Sequence, residues 1–376
     1  MLTSTELYSL LHRLRDERVL SVYIDGTADD PALQRAWRVE LDRSLKDLRR
    51  GLEGSSHEER ERFERCVSLL DEQLARFAGA VGAPGWVAFI TPNAVHDAER
   101  LPVPMPTLTV WSTGICMAPY IRALKQRRPV VIVVADARKA RVYRYAVGEL
   151  ARVETIRAHT IEGPPLHMGD APRLGFSPGT RGRTGRDAVQ RDHMEGTNRM
   201  VADVAAKTVA LAGLSGWILA GGIPHVAAQV VRAVDHVAAG RVLHLDSLDI
   251  HATDAQIATA AQQGASRLRD ATDLRRISEI IDRAKADGTV ALGPAATRRA
   301  LEQARVRELY LTHQYVEHHL ADAEEAVRAA VAQGAVIEEV SPNVAQRLDE
   351  HGGMGARLRY ALPDVEGATE VEPLSR

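Results

Sequence analysis

The sequence has few aromatic residues and almost no net charge, and both shortages limit the ligands that it can bind. Phe, Trp and Tyr make up 4% of its 376 residues, which argues against aromatic platforms that stack the bases of single strands. The formal net charge is −2, so the protein is not a generally basic nucleic-acid binder. Any contact with nucleic acid must therefore come from local patches, and no DNA partner is expected.

The sequence also lacks the residues of a disulfide framework, a metal site or a membrane anchor. Its two cysteines, Cys66 and Cys116, match no metal spacing, and neither an HExxH motif nor an HxH pair with a supporting carboxylate occurs. We therefore expect no metal and no cofactor. No uninterrupted apolar run approaches the length of a membrane span. Because the first residues also lack a signal-peptide layout, we expect a cytoplasmic protein without a membrane partner.

The hydrophobic patterns predict an α/β protein with three α/β domains. Residues 1–125 show alternating strands and amphipathic helices, including a helical pair. Residues 126–252 begin with the apolar run VVIVVA and two further strands, which predict an antiparallel meander. Helices and strands alternate after it, so we expect a middle domain with a mixed sheet. A long alanine-rich helix opens a C-terminal domain at 253–362, and 363–376 forms a polar tail that we expect to be disordered.

The middle domain contains the most unusual stretch of the chain, residues 163–193. It has six glycines, four prolines and five arginines, with no apolar periodicity, and it is predicted to be a long loop. Structureless loops of this length are usually functional or disordered. Arginine forks onto phosphate in a bidentate manner, so the loop suits contact with a nucleic-acid surface. The alternative is a disordered connection with solubilising charge.

A pair of glycines, Gly221 and Gly222, lies at a strand-to-helix turn and admits a nucleotide-binding interpretation. Helix N-termini attract phosphate, but the stretch has neither a third glycine nor a Walker lysine. We therefore favour a tight turn, with a nucleotide enzyme as a remote alternative.

Two passages near the C-terminus resemble a known protein family. Residues 352–360 (GGMGARLRY) are similar to the closing strand of archaeal and eukaryotic peptide-release factors and of the ribosome-rescue protein Pelota. Residues 291–312 resemble the opening of the third domain in that family. The residues that carry the first resemblance are Gly352, Gly353, Gly355, Leu358, Arg359 and Tyr360. The best fit is the bacterial branch, which includes ribosome-hibernation factors of the Balon type.

The resemblance implies a ribosome-binding translation factor that occupies the A site of idle or stalled ribosomes, in hibernation or rescue. In the family, the middle domain points its loop toward the peptidyl-transferase centre and the third domain meets a translational GTPase. The partners implied are therefore the ribosome with its ribosomal RNA, a P-site tRNA and a GTPase. The RNA-binding candidates in this chain are Arg181, Arg183, Arg186, Arg191 and His193, although His193 also fits a plain surface position at a helix start.

Release factors of this family carry a Gly-Gly-Gln motif in the same loop, and this chain lacks it. The resemblance offers Gln190 as a candidate catalytic residue, because some tRNA-hydrolysing relatives have a looser glycine-x-glutamine arrangement. The first hypothesis is thus a binding factor without strong catalysis. The alternative is a peptidyl-tRNA hydrolase that acts through loop 163–193.

Overall fold

Three β-sheets flanked by helices form the framework of the protein, in agreement with the α/β class predicted from the sequence. The computed structural model describes residues 4–27, 36–77, 81–126, 128–146, 148–158, 185–284 and 288–360. The predicted tail at 363–376 lies outside these residues. No helix among them is long and apolar enough to cross a membrane.

The N-terminal sheet has four antiparallel strands in the order β3-β2-β1-β4. Its elements are α1 (Ser4–Arg13), β1 (Arg18–Asp25), α2 (Ala36–Gly51), α3 (His57–Leu74), β2 (Gly85–Thr91), β3 (Ala94–Leu101), β4 (Leu108–Thr113), a 3₁₀ turn (Ala118–Tyr120) and α4 (Ile121–Gln126). The predicted helical pair, α2 and α3, turns its apolar faces inward: Leu41, Phe63 and Leu70 are fully or almost fully buried. Ser56 caps α3 by accepting the backbone N–H of Glu59 at 3.1 Å, which satisfies one of the free amides at a helix start.

The middle sheet has five strands in the order β7-β6-β5-β8-β9. Its elements are β5 (Val130–Ala135), β6 (Lys139–Ala146), β7 (Glu149–Arg157), α5 (Gly185–Ala212), β8 (Trp217–Gly222), α6 (Pro224–Ala238), β9 (Val242–His244) and α7 (Asp254–Arg283). Strands β5, β6 and β7 form the predicted antiparallel meander, whereas β8 and β9 run parallel to their neighbours. The prediction of a mixed sheet in the middle domain is therefore confirmed.

Both faces of the middle sheet are covered, which explains why β5 is apolar at every position. Helices α5 and α6 cover one face. The first half of α7 covers the other, where Ile257 and Ala261 pack with Leu219 and Leu245. A strand between two helical layers has no solvent-facing side, so its sequence reads as a continuous hydrophobic run.

The C-terminal sheet has four strands in the order β10-β13-β11-β12. Its elements are β10 (Val290–Leu292), α8 (Pro294–Glu302), β11 (Val306–Leu311), α9 (His313–His318), α10 (Leu320–Ala332), β12 (Val336–Glu339), α11 (Pro342–Asp349) and β13 (Met354–Leu358). Strands β11 and β12 are parallel, and the other pairs are antiparallel. The last strand, β13, ends at Leu358.

The contacts divide the chain into two compact units. The first unit combines both ends, Met1–Arg127 and Asp270–Arg376, and the second is the middle segment Arg128–Arg269. The first half of α7 groups with the middle sheet because its apolar residues are buried there. Helix α7 therefore belongs in part to each unit, and not to a C-terminal domain alone. The limits predicted at residues 125, 252 and 362 stay predictions.

A carboxylate of α10 joins the two ends of the chain within the first unit. Glu324 accepts the backbone N–H groups of Met117 and Ala118 at 2.7 and 2.8 Å. Arg328 donates to Glu324 at 2.8 Å and to the carbonyl oxygen of Ile115 at 2.9 Å. Burial raises the pKa of Glu324, and these hydrogen bonds oppose the rise. The contacts satisfy backbone groups that would otherwise be buried without partners.

A buried lysine joins the same unit at a second point. The Nζ atom of Lys125 lies 2.6 Å from Oδ2 of Asp273 and 2.7 Å from the carbonyl oxygen of Glu339. The side chains of Lys125 and Asp273 are 7% and 2% exposed. Asp273 also accepts the backbone N–H of Ser341 at 2.8 Å. Charges are tolerated at this depth because they are paired and hydrogen-bonded.

Candidate nucleic-acid interface

The predicted loop at 163–193 is shorter than its sequence suggests, because its last part is helical. Helix α5 begins at Gly185, so Arg186, Gln190 and Arg191 belong to it. Between Gly185 and Gly196 there is no glycine or proline, and alanine, glutamine and arginine are good helix formers. The density of glycine and arginine hides this start in the sequence. Arg181 and Arg183 lie outside the described residues.

His193 lies in α5 and is exposed, as a surface position would require. One turn further on, the hydroxyl of Thr197 donates to the carbonyl oxygens of His193 and Ala137, both at 2.9 Å. The second of these bonds ties α5 to the turn between β5 and β6. The part of α5 that follows the predicted loop is thus fixed against the middle sheet.

The turn between β5 and β6 is organised by a carboxylate. Oδ1 of Asp136 accepts the backbone N–H groups of Arg138 and Lys139 at 2.7 and 2.9 Å, and the N–H of Asp136 donates to the carbonyl oxygen of Lys139 at 2.9 Å. Aspartate favours turns because its side chain can bond the backbone two residues on. The side chains of Arg138 and Lys139 are both exposed.

The glycine pair between β8 and α6 forms a tight turn. Gly222 has a φ of +106°, and a Cβ there would lie 2.1 Å from the carbonyl oxygen of Ala135. The N–H groups of Gly222 and Ile223 donate to the carbonyl oxygens of Leu248 and Ala135 at 2.7 and 2.9 Å. Two amides that a phosphate would need are therefore already bonded. This arrangement favours the structural interpretation over the nucleotide site.

The glycines of the C-terminal motif form the turn between α11 and β13. Gly352 and Gly353 have φ values of +90° and +75°, which glycine adopts at no steric cost. A Cβ at Gly353 would lie 2.7 Å from Cβ of Tyr315 and 2.8 Å from Oγ1 of Thr312. The carbonyl oxygen of Gly353 accepts the N–H of Thr312 at 2.9 Å. The motif thus brings the chain close to the start of α9.

The remaining motif residues complete the C-terminal sheet. Leu358 is buried, and Arg359 donates through Nη2 to the carbonyl oxygen of Gln333 at 2.5 Å. Tyr360 is 55% exposed, and the guanidinium carbon of Arg305 lies 4.9 Å from the centre of its ring. These contacts give the motif a structural role in this chain, apart from any ligand.

A pocket of about 280 Å³ opens beside this turn, lined by Gln314, Tyr315, His318, His319, Asp349, Gly352 and Gly353. The rings of Tyr315 and His319 lie 5.0 Å apart, and burial raises the pKa of Tyr315. Asp349 accepts the hydroxyl of Thr312 at 2.5 Å. Across the described ranges, no three His, Cys, Asp or Glu side chains lie close enough to hold a metal ion. The turn formed by the motif glycines, Gly352 and Gly353, therefore contributes to the lining of the pocket.

The middle sheet lies within the part of the chain that matches a known family. Residues 117–266 match the family model described as bacterial archaeo-eukaryotic release factor family 10. This region of the chain is therefore similar to the bacterial branch of the release-factor family, which confirms the resemblance drawn from the sequence. No curated protein matches the chain.

Solved structures of this family show limited similarity to the chain. Saccharomyces cerevisiae Dom34, a translation termination-like factor, is 15% identical with a TM-score of 0.44, over 65% of this chain and 67% of that one. Archaeoglobus fulgidus Pelota is 14% identical with a TM-score of 0.35, over 78% and 82%. A model of ribosome-bound archaeal Pelota with ABCE1 gives 14% identity and a TM-score of 0.43, over 96% and 94%.

The sequence-predicted residues fall into two groups in the structure. Gln190, Arg186, Arg191 and His193 lie within two turns of one another along α5, whereas the C-terminal motif residues belong to the other unit. Three exposed cations near the start of the predicted loop, Arg138, Lys139 and Arg157, were not among the candidates. The register of β6 and β7 brings Lys139 and Arg157 together, and this register cannot be read from the residue pattern alone.

Proposed function

We propose that the protein is a ribosome-binding translation factor that occupies the A site of idle or stalled ribosomes, in hibernation or rescue, without strong catalysis. The observation that carries the proposal is the release-factor family match over residues 117–266, because that region contains the glycine- and arginine-rich stretch 163–193. Ribosomal RNA and a P-site tRNA are its nucleic-acid partners, and a translational GTPase is a further partner.

The charge distribution supports binding to RNA through its backbone. Ribosomal RNA presents a dense array of phosphates, and a few local arginines contribute salt-dependent affinity without a basic protein overall. Arg181, Arg183, Arg186 and Arg191 provide such a group, with a single acidic residue, Asp187, among them. Contacts of this kind recognise phosphate and RNA shape more than base sequence.

The lack of a Gly-Gly-Gln motif supports a factor that binds without hydrolysing peptidyl-tRNA. The alternative, a peptidyl-tRNA hydrolase, rests on Gln190, whose position in the second turn of α5 follows the glycine-rich stretch directly. In that case the amide of Gln190 would position a water molecule against the ester. The two functions share the same binding surface and differ only in chemistry.

Co-sedimentation with ribosomes at low and physiological salt tests the binding role. We expect the wild type to pellet at both salt concentrations, and a variant with Arg181, Arg183, Arg186 and Arg191 changed to Glu to bind weakly with a flatter salt dependence. The matched control changes four exposed helical arginines, Arg232, Arg267, Arg275 and Arg299, to Glu. A wild type that stays in the supernatant at both salt concentrations contradicts the proposal.

A peptide-release assay on stalled ribosome complexes separates the binding factor from the hydrolase. The proposal expects equal, background release with wild type and with Gln190→Ala. The control, Gln263→Ala, changes an exposed glutamine of α7. Release by wild type and by the control that Gln190→Ala abolishes would establish the hydrolase instead.

A further inference from the structure

The register of β6 and β7 places two cations opposite each other at the end of the middle sheet. Lys139 pairs with Arg157 across the two antiparallel strands, so their side chains point to the same face of the sheet. Both side chains are exposed. Arg138 precedes Lys139 in the turn, and its carbonyl oxygen accepts the N–H of Ala158 at 2.7 Å. We name Arg138, Lys139 and Arg157 the cationic rim.

This arrangement is unfavourable for the isolated protein, which indicates an anionic ligand. Like charges directly opposite on neighbouring strands destabilise a sheet. None of the three rim side chains makes an ion pair with a carboxylate in the described part of the chain. Asp136 is the acidic residue nearest in sequence, and its Oδ1 is already used by two backbone N–H groups of the turn. The rim therefore retains its positive charge toward solvent.

The position of the rim connects it to the predicted RNA-binding stretch. Ala158, beside the rim, is the last described residue before residues 159–184. Helix α5, which follows that stretch, is bonded to the rim's turn through Thr197 and Ala137. The chain thus leaves β7 next to the rim, and His193 lies one turn before Thr197 on α5.

We propose that the cationic rim is a preformed site for backbone phosphates of structured RNA, and that it extends the footprint of the arginine-rich stretch onto the middle sheet. The proposal rests on the proposed function, because it assumes an RNA partner for this domain. Backbone hydrogen bonds fix two strand positions and one turn position, so little backbone freedom is lost when phosphate binds. Arginine matches phosphate in a bidentate manner, and lysine contributes a compact charge.

The chemistry of the rim favours RNA backbone over bases or protein. Cations without aromatic neighbours offer no platform on which bases could stack. Three exposed cations spaced across two strands suit a repeating polyanion, whose affinity depends on salt through counterion release. We therefore expect binding that is insensitive to RNA sequence.

The experiment measures the affinity of the full-length protein for fluorescent RNA hairpins over a salt series by anisotropy. In the test variant, Arg138, Lys139 and Arg157 are changed to Gln. In the control, Arg144, Arg232 and Arg267, which are exposed in the same unit, are changed to Gln. We expect the slope of log affinity against log salt to decrease by about three in the test variant, equally for hairpins of different sequence. The control should keep the wild-type slope.

A stability measurement excludes unfolding as the cause of weaker binding. Because the test variant removes a repulsive cross-strand pair, its melting temperature should equal or exceed that of the wild type. Wild-type affinity and slope in the test variant would overturn the proposal. The proposal would also be overturned if the wild type bound no hairpin. It would equally be overturned if a polyglutamate peptide displaced the labelled hairpin more effectively than a double-stranded RNA competitor.

Ribosome pelleting of the same variants distinguishes failure of the rim from failure of the proposed function. If wild type and test variant pellet equally and the test variant keeps the wild-type hairpin slope, the result contradicts only the proposed role of the cationic rim. A wild type that binds hairpins through the rim but does not pellet with ribosomes contradicts the A-site role and supports the rim.

Discussion

The two units of the protein use their charges in opposite ways. In the unit built from both chain ends, Lys125 and Asp273 are buried, Glu324 is partly buried, and all three bond to groups that are distant in sequence. In the middle unit, Arg138, Lys139 and Arg157 are exposed, and none of them forms an ion pair with a carboxylate of the described residues. The first arrangement fixes how chain segments meet. The second leaves charge free to meet a ligand.

This difference separates the residues that stabilise the protein from those that serve its proposed function. Removing one member of a buried ion pair leaves an uncompensated charge and destabilises strongly. Exposed cations contribute little to stability because water screens them. Variants of the end-derived unit should therefore change unfolding, whereas variants of the middle-unit surface should change binding.

The largest expected effect comes from Asp273→Ala. The change removes the acceptor of the Ser341 N–H and the nearer carboxylate of the Lys125 ammonium, which then keeps that of Glu338 at 3.8 Å. We therefore expect a loss of about 3–5 kcal/mol in the free energy of unfolding of that unit. Hydrogen exchange followed by mass spectrometry measures each unit separately. The amides of β5 and β8 should exchange as in the wild type. Asp282→Ala, an exposed change on the same helix, should stay within about 0.5 kcal/mol; an equal loss there would break the comparison.

A smaller effect is expected at the C-terminal motif. Gly353→Ala combines a positive φ with a Cβ 2.7 Å from Cβ of Tyr315, and we expect a loss of about 2–4 kcal/mol in urea unfolding. Gly334 is the control, because its φ is +65° and its Cβ would meet nothing within 4 Å. Gly334→Ala should lose only the conformational part, about 1–2 kcal/mol. Equal losses of unfolding free energy in the two variants would show that the close approach of Gly353 to the start of α9 does not add to the cost of the substitution.

The smallest effect is expected at an exposed ion pair. Arg49 donates to Glu64 at 2.7 Å, and this hydrogen bond, with the charge of Arg49, lowers the pKa of Glu64. A lowered pKa in the folded state stabilises the fold above the ordinary carboxyl pKa, and the contribution is lost as pH falls through the folded value. Because both side chains are about half exposed, Glu64→Gln should lose less than about 1 kcal/mol at pH 7. Thermal unfolding over a pH series should show the largest difference between variant and wild type at pH 7, and the difference should shrink as the pH falls through the folded pKa of Glu64.

The elements of the middle sheet could be predicted from the sequence because their signals are local. The continuous apolar run of β5 and the short turns after it indicate a meander, and positive-φ turns need glycine, as at Gly222. The prediction of a loop up to residue 193 is wrong from Gly185 onward, where α5 begins, because a high glycine and arginine content does not exclude a helix. The helix propensity of the ten residues after Gly185 favours the helical conformation of this segment.

The contacts that distinguish the units could not be predicted because they are not local. Glu324 bonds to backbone groups more than two hundred positions away, and no pattern within α10 identifies those partners. The pairing of Lys139 with Arg157 depends on a register that shifts between Val142 and Tyr143. A one-residue irregularity of this kind changes which side chains share a face.

The division of the chain has a consequence for its synthesis. The unit formed by Met1–Arg127 and Asp270–Arg376 contains core residues from both segments, such as Phe89 and Val327. During translation, the N-terminal segment emerges while its packing partners have not yet been made. At typical elongation rates, Arg128–Arg269 alone takes roughly 7–30 s to be made. The middle unit can complete its core during that interval, while the apolar surface of the first segment that packs against Asp270–Arg376 stays uncovered.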